Sequence, residues 1–251
     1  MTIEKTPGEP SPALPESPTP RWGLGAYLLV EAVFLGVSVL LVLPYVNQPD
    51  AKPPPWVLLL SLSVPTVLAA SVALLLTQWR GGGPVRDLGL RFEPGDLRLG
   101  LMYGLGGLVL TIPAAALWSA VVGPGEANAA VAELFAGQRF ALPLAIGVFL
   151  AVLLVAPICE EIVYRGLLWG ALERAGAARW WAFSLTTLCF ALAHFEFTRT
   201  PLLLIISVPI GLARLYTGRL WASVVAHQIN NLLPAFALLG LLLGLPGLEN
   251  I

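Results

Sequence analysis

The chain has 251 residues, of which 57% are hydrophobic and 12% charged, with a net charge of −1 and a mean hydropathy of +0.81. Soluble domains carry about 25% charged residues, so a water-soluble globular fold is excluded. A net charge this close to zero also leaves no electrostatic footprint for nucleic acid.

In chain order, residues 1–21 come first. They set Pro7, Pro10, Pro12, Pro15, Pro18 and Pro20 among polar residues with no apolar core. This is not a signal peptide, and it reads as a disordered, cytoplasmic tail. Residues 22–251 read as one transmembrane domain, because a spanning helix needs about 20 mostly apolar residues and several such runs follow. They cover Gly23 to Leu43, Trp56 to Trp79 with tryptophans at both ends, and Leu99 to Val122. A weakly amphipathic surface helix is expected from Glu126 to Gln138. The fourth span begins at Leu142 and runs through Pro157. The fifth covers Trp180 to Phe195, the sixth Pro201 to Tyr216, and the last Leu220 to Leu243. The expected fold is an all-α, polytopic bundle of seven helices, or eight if Pro234 breaks the last. Arg80, Arg86, Arg91 and Arg98, then Arg174 and Arg179, then Arg214 and Arg219 fall in alternate loops. The opposite loops hold only Lys52, Arg139 and Arg199. The arginine-rich side is therefore expected to be cytoplasmic.

Within the fourth span lies Glu160-Glu161-Ile162-Val163-Tyr164-Arg165. Each charge at bilayer depth costs roughly 2.5 kcal/mol or more, so such groups persist where they face a protein interior or a wet cavity. Glu161 and Arg165 are four apart and can pair on one helix face. Glu160 points about 100° away and is the freer carboxylate, available as a general base. Pro157 removes a helix hydrogen bond just upstream. Glu160 and His194 lie at similar distances, roughly 20 Å, from the turn at Gly176 to Arg179, so an antiparallel pair brings them to one depth. His227 lies about 13 Å from the next such loop. It shares a face with Asn231, and Asn230 overlaps that face. An imidazole and an amide can donate to an oxyanion, and an imidazole can also ligate a metal.

Elsewhere, Glu31 is a lone carboxylate near the middle of the first span and reads as structural or accessory. Glu196 and Arg199 read as solvated boundary charges. Cys159 and Cys189 sit in apolar runs and read as packing residues, since two such cysteines make neither a disulfide framework nor a zinc cage. Other hydrolase chemistries fit poorly: Asp50, Asp87 and Asp96 all fall in loops, and the H-E-x-x-H zinc signature is absent.

Glu160-Glu161-x-x-x-Arg165, Phe190-x-x-x-His194 and His227-x-x-x-Asn231, in that order on apolar helices, resemble the CPBP family. That family includes CAAX prenyl endopeptidases of the Rce1 type and bacterial Abi proteins. The resemblance covers about 142–234, the expected catalytic core, and Asp87-Leu88-Gly89-Leu90-Arg91 is similar to many bacterial members. It implies an intramembrane endopeptidase in which Glu160 and His194 activate water and His227 and Asn231 form the oxyanion site. Glu161 and Arg165 would support them. Glu160, His194 and His227 could together hold zinc, and the same residues could also work without metal. The implied partner is a membrane-associated peptide or protein, in a bacterial plasma membrane. A non-catalytic scaffold or regulator of the same family, and a transporter using the same polar centre, are the alternatives.

Overall fold

The computed structural model describes residues 21–46, 53–127, 129–135 and 137–245. The tail over 1–20 and Lys52 lie outside the described residues. Among those described, every regular element is helical: α1 (Leu24–Val46), α2 (Pro55–Arg80), α3 (Pro84–Asp87), α4 (Pro94–Val122), α5 (Pro124–Ala127) and α6 (Ala130–Phe135). One long span, Leu142–Arg174, follows and comprises α7 (Leu142–Leu150), α8 (Ala156–Glu161) and α9 (Trp169–Arg174). The chain ends with α10 (Arg179–Leu192), α11 (Thr200–Thr217) and α12 (Leu220–Leu243). The protein is a multi-pass membrane bundle.

Six of these helices are long and apolar enough to cross a bilayer, fewer than the seven or eight expected. The difference has two sources. With 14 residues, α10 rises about 21 Å against a hydrocarbon thickness of about 30 Å. And α12 continues through Pro234, so no eighth span forms. The expected surface helix over 126–138 is instead the short pair α5 and α6. Phe135 of α6 is fully buried against Phe140, with ring centroids 5.6 Å apart, and packs with Leu238 and Leu242 of α12.

Apolar side chains give membrane helices little reason to associate, so close packing at small residues does that work. On α4 these are glycines. A Cβ at Gly100 would lie 2.5 Å from the Cβ of Val225, and one at Gly104 2.7 Å from that of Ile229. This seam seats α12, the helix that carries His227.

The arginine-rich end is tied by polar contacts. Arg179 and Arg214 donate to the carbonyls of Leu215 and Gly218, at and just beyond the end of α11. Arg219 reaches Asp96 at 2.7 Å and Glu93 at 3.3 Å. The Asp87–Arg91 segment docks here. Leu88 is fully buried and meets Gly166, and the carbonyl of Gly89 accepts from Leu220 N–H at 2.8 Å. Gly89 has φ of +71°, a conformation that favours glycine, and a Cβ there would also displace the Arg214 guanidinium, whose Nη1 would lie 2.1 Å away.

Asp87 anchors the segment just before α1 to this end. Its Oδ2 accepts from Trp22 Nε1 at 3.0 Å and Gly82 N–H at 2.8 Å, and Arg86 and Arg174 lie 3.2 and 3.6 Å from Oδ1. Burial alone would push this carboxyl up. The Trp22, Gly82 and Arg86 hydrogen bonds and the Arg174 charge outweigh it and hold Asp87 below the usual carboxylate range. A carboxyl more acidic in the folded than in the unfolded chain stabilises the fold fully above the unfolded value, near 3.9, and this contribution is lost as pH falls through the folded value. The thermal midpoint of wild type should therefore fall as pH is lowered from about 5 towards 3. Asp87→Asn should cost about 1–3 kcal/mol at neutral pH and flatten that dependence, read by thermal unfolding in detergent.

Candidate active site

The site is built around a helix whose ladder is loosened twice. The spans Ala151–Val155 and Ile162–Leu168 are π-helical and flank Glu160 and Glu161. Pro157 has no N–H to give, so the carbonyls before it lose a donor. In the wider π register the partner of Val152 would be residue 157. Asn231 Nδ2 on α12 supplies that donor, 3.1 Å from the Val152 carbonyl. Buried backbone is thus satisfied across two helices where one cannot do so alone.

Glu161 and Arg165 are both fully buried and pair at 3.2 Å, as their four-residue spacing predicts. Arg165 also donates to Ser207 Oγ of α11 at 2.6 Å, and its guanidinium lies 4.4 Å from the centre of the Phe190 ring. The same Glu161 oxygen accepts from His227 Nδ1 at 3.0 Å. Because a carboxylate only accepts, His227 carries a proton on Nδ1, and in the neutral ring the lone pair lies on Nε2. That Nε2 stands 3.6 Å from Glu160 Oε2.

Glu160 differs from its neighbour in every respect. Its side chain is 23% exposed, against 0% for Glu161, and it faces a cavity of about 260 Å³. His194, just past the end of α10, lines the same cavity. That helix stops at Leu192, and the backbone turns through Phe195, whose φ of +54° is the left-handed region that a bulky residue rarely enters. The early stop is what presents His194 to the cavity. Its Nδ1 lies 2.8 Å from the Phe190 carbonyl, which can only accept, so in the neutral ring the lone pair lies on Nε2 here too. Phe190 is the common wall, edge-on to His194, His227 and Tyr164 at centroid distances of 4.7, 5.5 and 5.5 Å.

The structure thus brings Glu160, Glu161, Arg165 and His227 into one contact network and sets Glu160 and His194 on one cavity. Asn231 sits one turn beyond His227, engaged with Val152, while Asn230 lies 3.3 Å from Thr111 of α4. Cys159 also lines the cavity and Cys189 is half-buried; neither is in a disulfide. Among the described residues no three His, Cys, Asp or Glu side chains gather as a metal ion would need, so no step below is routed through zinc. Glu196 and Arg199 are not solvated boundary charges. They pair with each other across one turn and are largely buried, which suits a loop reached by a helix too short to cross. Ser207 escaped sequence reasoning, since one serine in an apolar run carries no signal. Glu31 carried one, a carboxylate in mid-span, and proves to line the same cavity.

A helical membrane bundle with carboxylates and imidazoles gathered at its centre defines the class. Residues 142–233 match the family model described as type II CAAX prenyl endopeptidase Rce1-like. The matched segment holds all three motifs. No curated protein and no solved structure matches the chain.

Proposed function

We propose that the protein is an intramembrane endopeptidase that hydrolyses a peptide bond with water activated by Glu160. The observation that carries this reading is the inequality of the two adjacent carboxylates. Glu161 is neutralised by Arg165 and spent on orienting His227, whereas Glu160 faces the cavity beside the lone pair of His194.

In this reading a water lies between Glu160 and His194 Nε2. Glu160 takes one of its protons as the oxygen attacks the carbonyl carbon of the substrate, and the carbonyl π pair becomes an oxyanion. Glu160 then passes the proton to His227 Nε2. The resulting imidazolium is held by Glu161 and donates to the oxyanion, with the second Asn231 N–H as a further donor. Collapse of the tetrahedral intermediate breaks the C–N bond. The amine leaves with the proton, and a carboxylic acid remains. Phe190 and the surrounding helices keep lipid from the carboxylate. The substrate is a membrane-associated protein or peptide, reached in a bacterial plasma membrane from the arginine-rich side.

The test is hydrolysis of membrane-anchored peptides by purified protein in ¹⁸O-labelled water. Hydrolysis should place one ¹⁸O in the new C-terminus, seen by mass spectrometry, and His194→Ala should lower the rate by about 10²-fold or more. Well-folded protein that cleaves nothing, or a His194→Ala variant with full activity, returns the chain to the scaffold or transporter alternatives.

A further inference from the structure

The cavity that holds Glu160 and His194 contains a second carboxylate that the hydrolytic chemistry does not use. Glu31 enters from α1, 129 positions earlier in the chain, and lines the cavity together with Phe34, Tyr164 and Phe195. Its Oε1 is buried and has no hydrogen-bond partner among the described residues. Tyr27, one turn back on α1, and Tyr164 both interact with the Glu31 carboxylate, and their rings meet edge to face at 6.3 Å. No lysine or arginine is among the described residues that line this space. Arg165, five positions beyond Glu160, is engaged by Glu161 and Ser207. Two acidic groups therefore share a largely apolar cavity with aromatic walls, and among the described residues that line it the imidazole of His194 is the sole basic group. At about 30 Å³ per water, its 260 Å³ has room for about eight waters, enough for one long side chain.

Such surroundings favour one kind of guest. A buried carboxylate oxygen gains most from a charged donor, and aromatic faces attract cations. Resting on the hydrolase reading, we propose that Glu31 determines specificity by receiving a lysine or arginine side chain of the substrate beside the scissile bond. The cation would hydrogen bond to Glu31 Oε1, lie against Tyr164 and Phe34, and bring the neighbouring peptide carbonyl within reach of Glu160. Glu31 acts on the substrate's charge and takes no part in proton transfer.

Two measurements test this. In the first, n-butylguanidinium and its uncharged counterpart n-butylurea are titrated calorimetrically onto the full-length protein in detergent. Wild type should bind the guanidinium at least tenfold more tightly than the urea, and Glu31→Gln should lose that margin. In the second, kcat/KM is compared for paired membrane-anchored peptides bearing lysine or norleucine at one position. The lysine/norleucine ratio of wild type should fall at least tenfold in Glu31→Gln, and Glu31→Lys should favour a glutamate-bearing peptide. Equal binding of guanidinium and urea by wild type overturns the proposal, and this comparison does not depend on any variant folding. Equal loss on both peptides in Glu31→Gln also overturns it, and assigns the residue to proton transfer. Guanidinium binding that needs Glu31, in a protein that cleaves no peptide, upholds the cation site and removes the hydrolase reading.

Discussion

Glu160→Gln is expected to lower peptide hydrolysis by about 10²–10⁴-fold and to leave the thermal midpoint within a degree or two of wild type. Glutamine keeps the size and hydrogen-bonding reach of the side chain but cannot accept a proton from water at useful pH. The fold should not notice, because Glu160 is partly exposed to the cavity and its contact with His227 is loose, at 3.6 Å. The loss should fall on kcat, since the carboxylate acts on water, with little change in KM. Glu161→Gln should behave in the opposite way, costing stability as well as rate, because Arg165 loses its counter-charge and His227 keeps only a neutral, weaker acceptor. A chelator should leave the wild-type rate unchanged if water is activated by Glu160 alone. Loss of activity on chelation, restored by added zinc, would show a metal at work. If Glu160→Gln retains full cleavage in the ¹⁸O assay, another group activates the water and the assignment fails.

Arg165→Met is expected to be the most destabilising single change at the site, at about 3–5 kcal/mol. The substitution conserves much of the side chain's volume, so cavity formation is a small part of the cost. The cost arises because Glu161 stays fully buried and loses the cation that neutralises it. Ser207 loses a 2.6 Å donor and Phe190 the guanidinium stacked on it. Ser207→Ala, which removes only one of these contacts, should cost about 1 kcal/mol. Combining Arg165→Met with Glu161→Gln should recover much of the stability by removing the stranded charge, yet leave activity low, because an amide orients the His227 imidazole less strongly than a carboxylate. Thermal unfolding of the four proteins, closed as a double-mutant cycle, gives the coupling directly. A coupling near zero would show that the buried pair does not hold the cluster together.

Much of the site was legible because helical spacing is local. A separation of four positions places Glu161 and Arg165 on one face whatever the rest of the chain does, and leaves Glu160 facing elsewhere. The membrane class was equally plain, since composition and run length report directly on the solvent a segment tolerates. What escaped was set by contacts between distant segments. The length of α10 could not be read from hydropathy, because the apolar run continues past the point where the backbone turns at Ala193–Phe195. Ser207 gains its meaning only when α11 lies beside Arg165. The link from Asn231 to Val152 exists only because a proline on one helix orphans a carbonyl that another helix can reach.

The amino-acid order by itself determined that the chain lives in lipid, that the fourth span carries a paired and an unpaired carboxylate, and that two histidines accompany them. These follow from the cost of burying charge and from the 3.6-residue turn. Only the tertiary structure decided that His227 stands between the two glutamates with its proton on the Glu161 side, and that Glu31 shares a cavity with Glu160. Both depend on where helices far apart in the chain come to rest. That is governed by close approach at Gly100 and Gly104 and by the polar ties at the arginine-rich end, which no local pattern encodes.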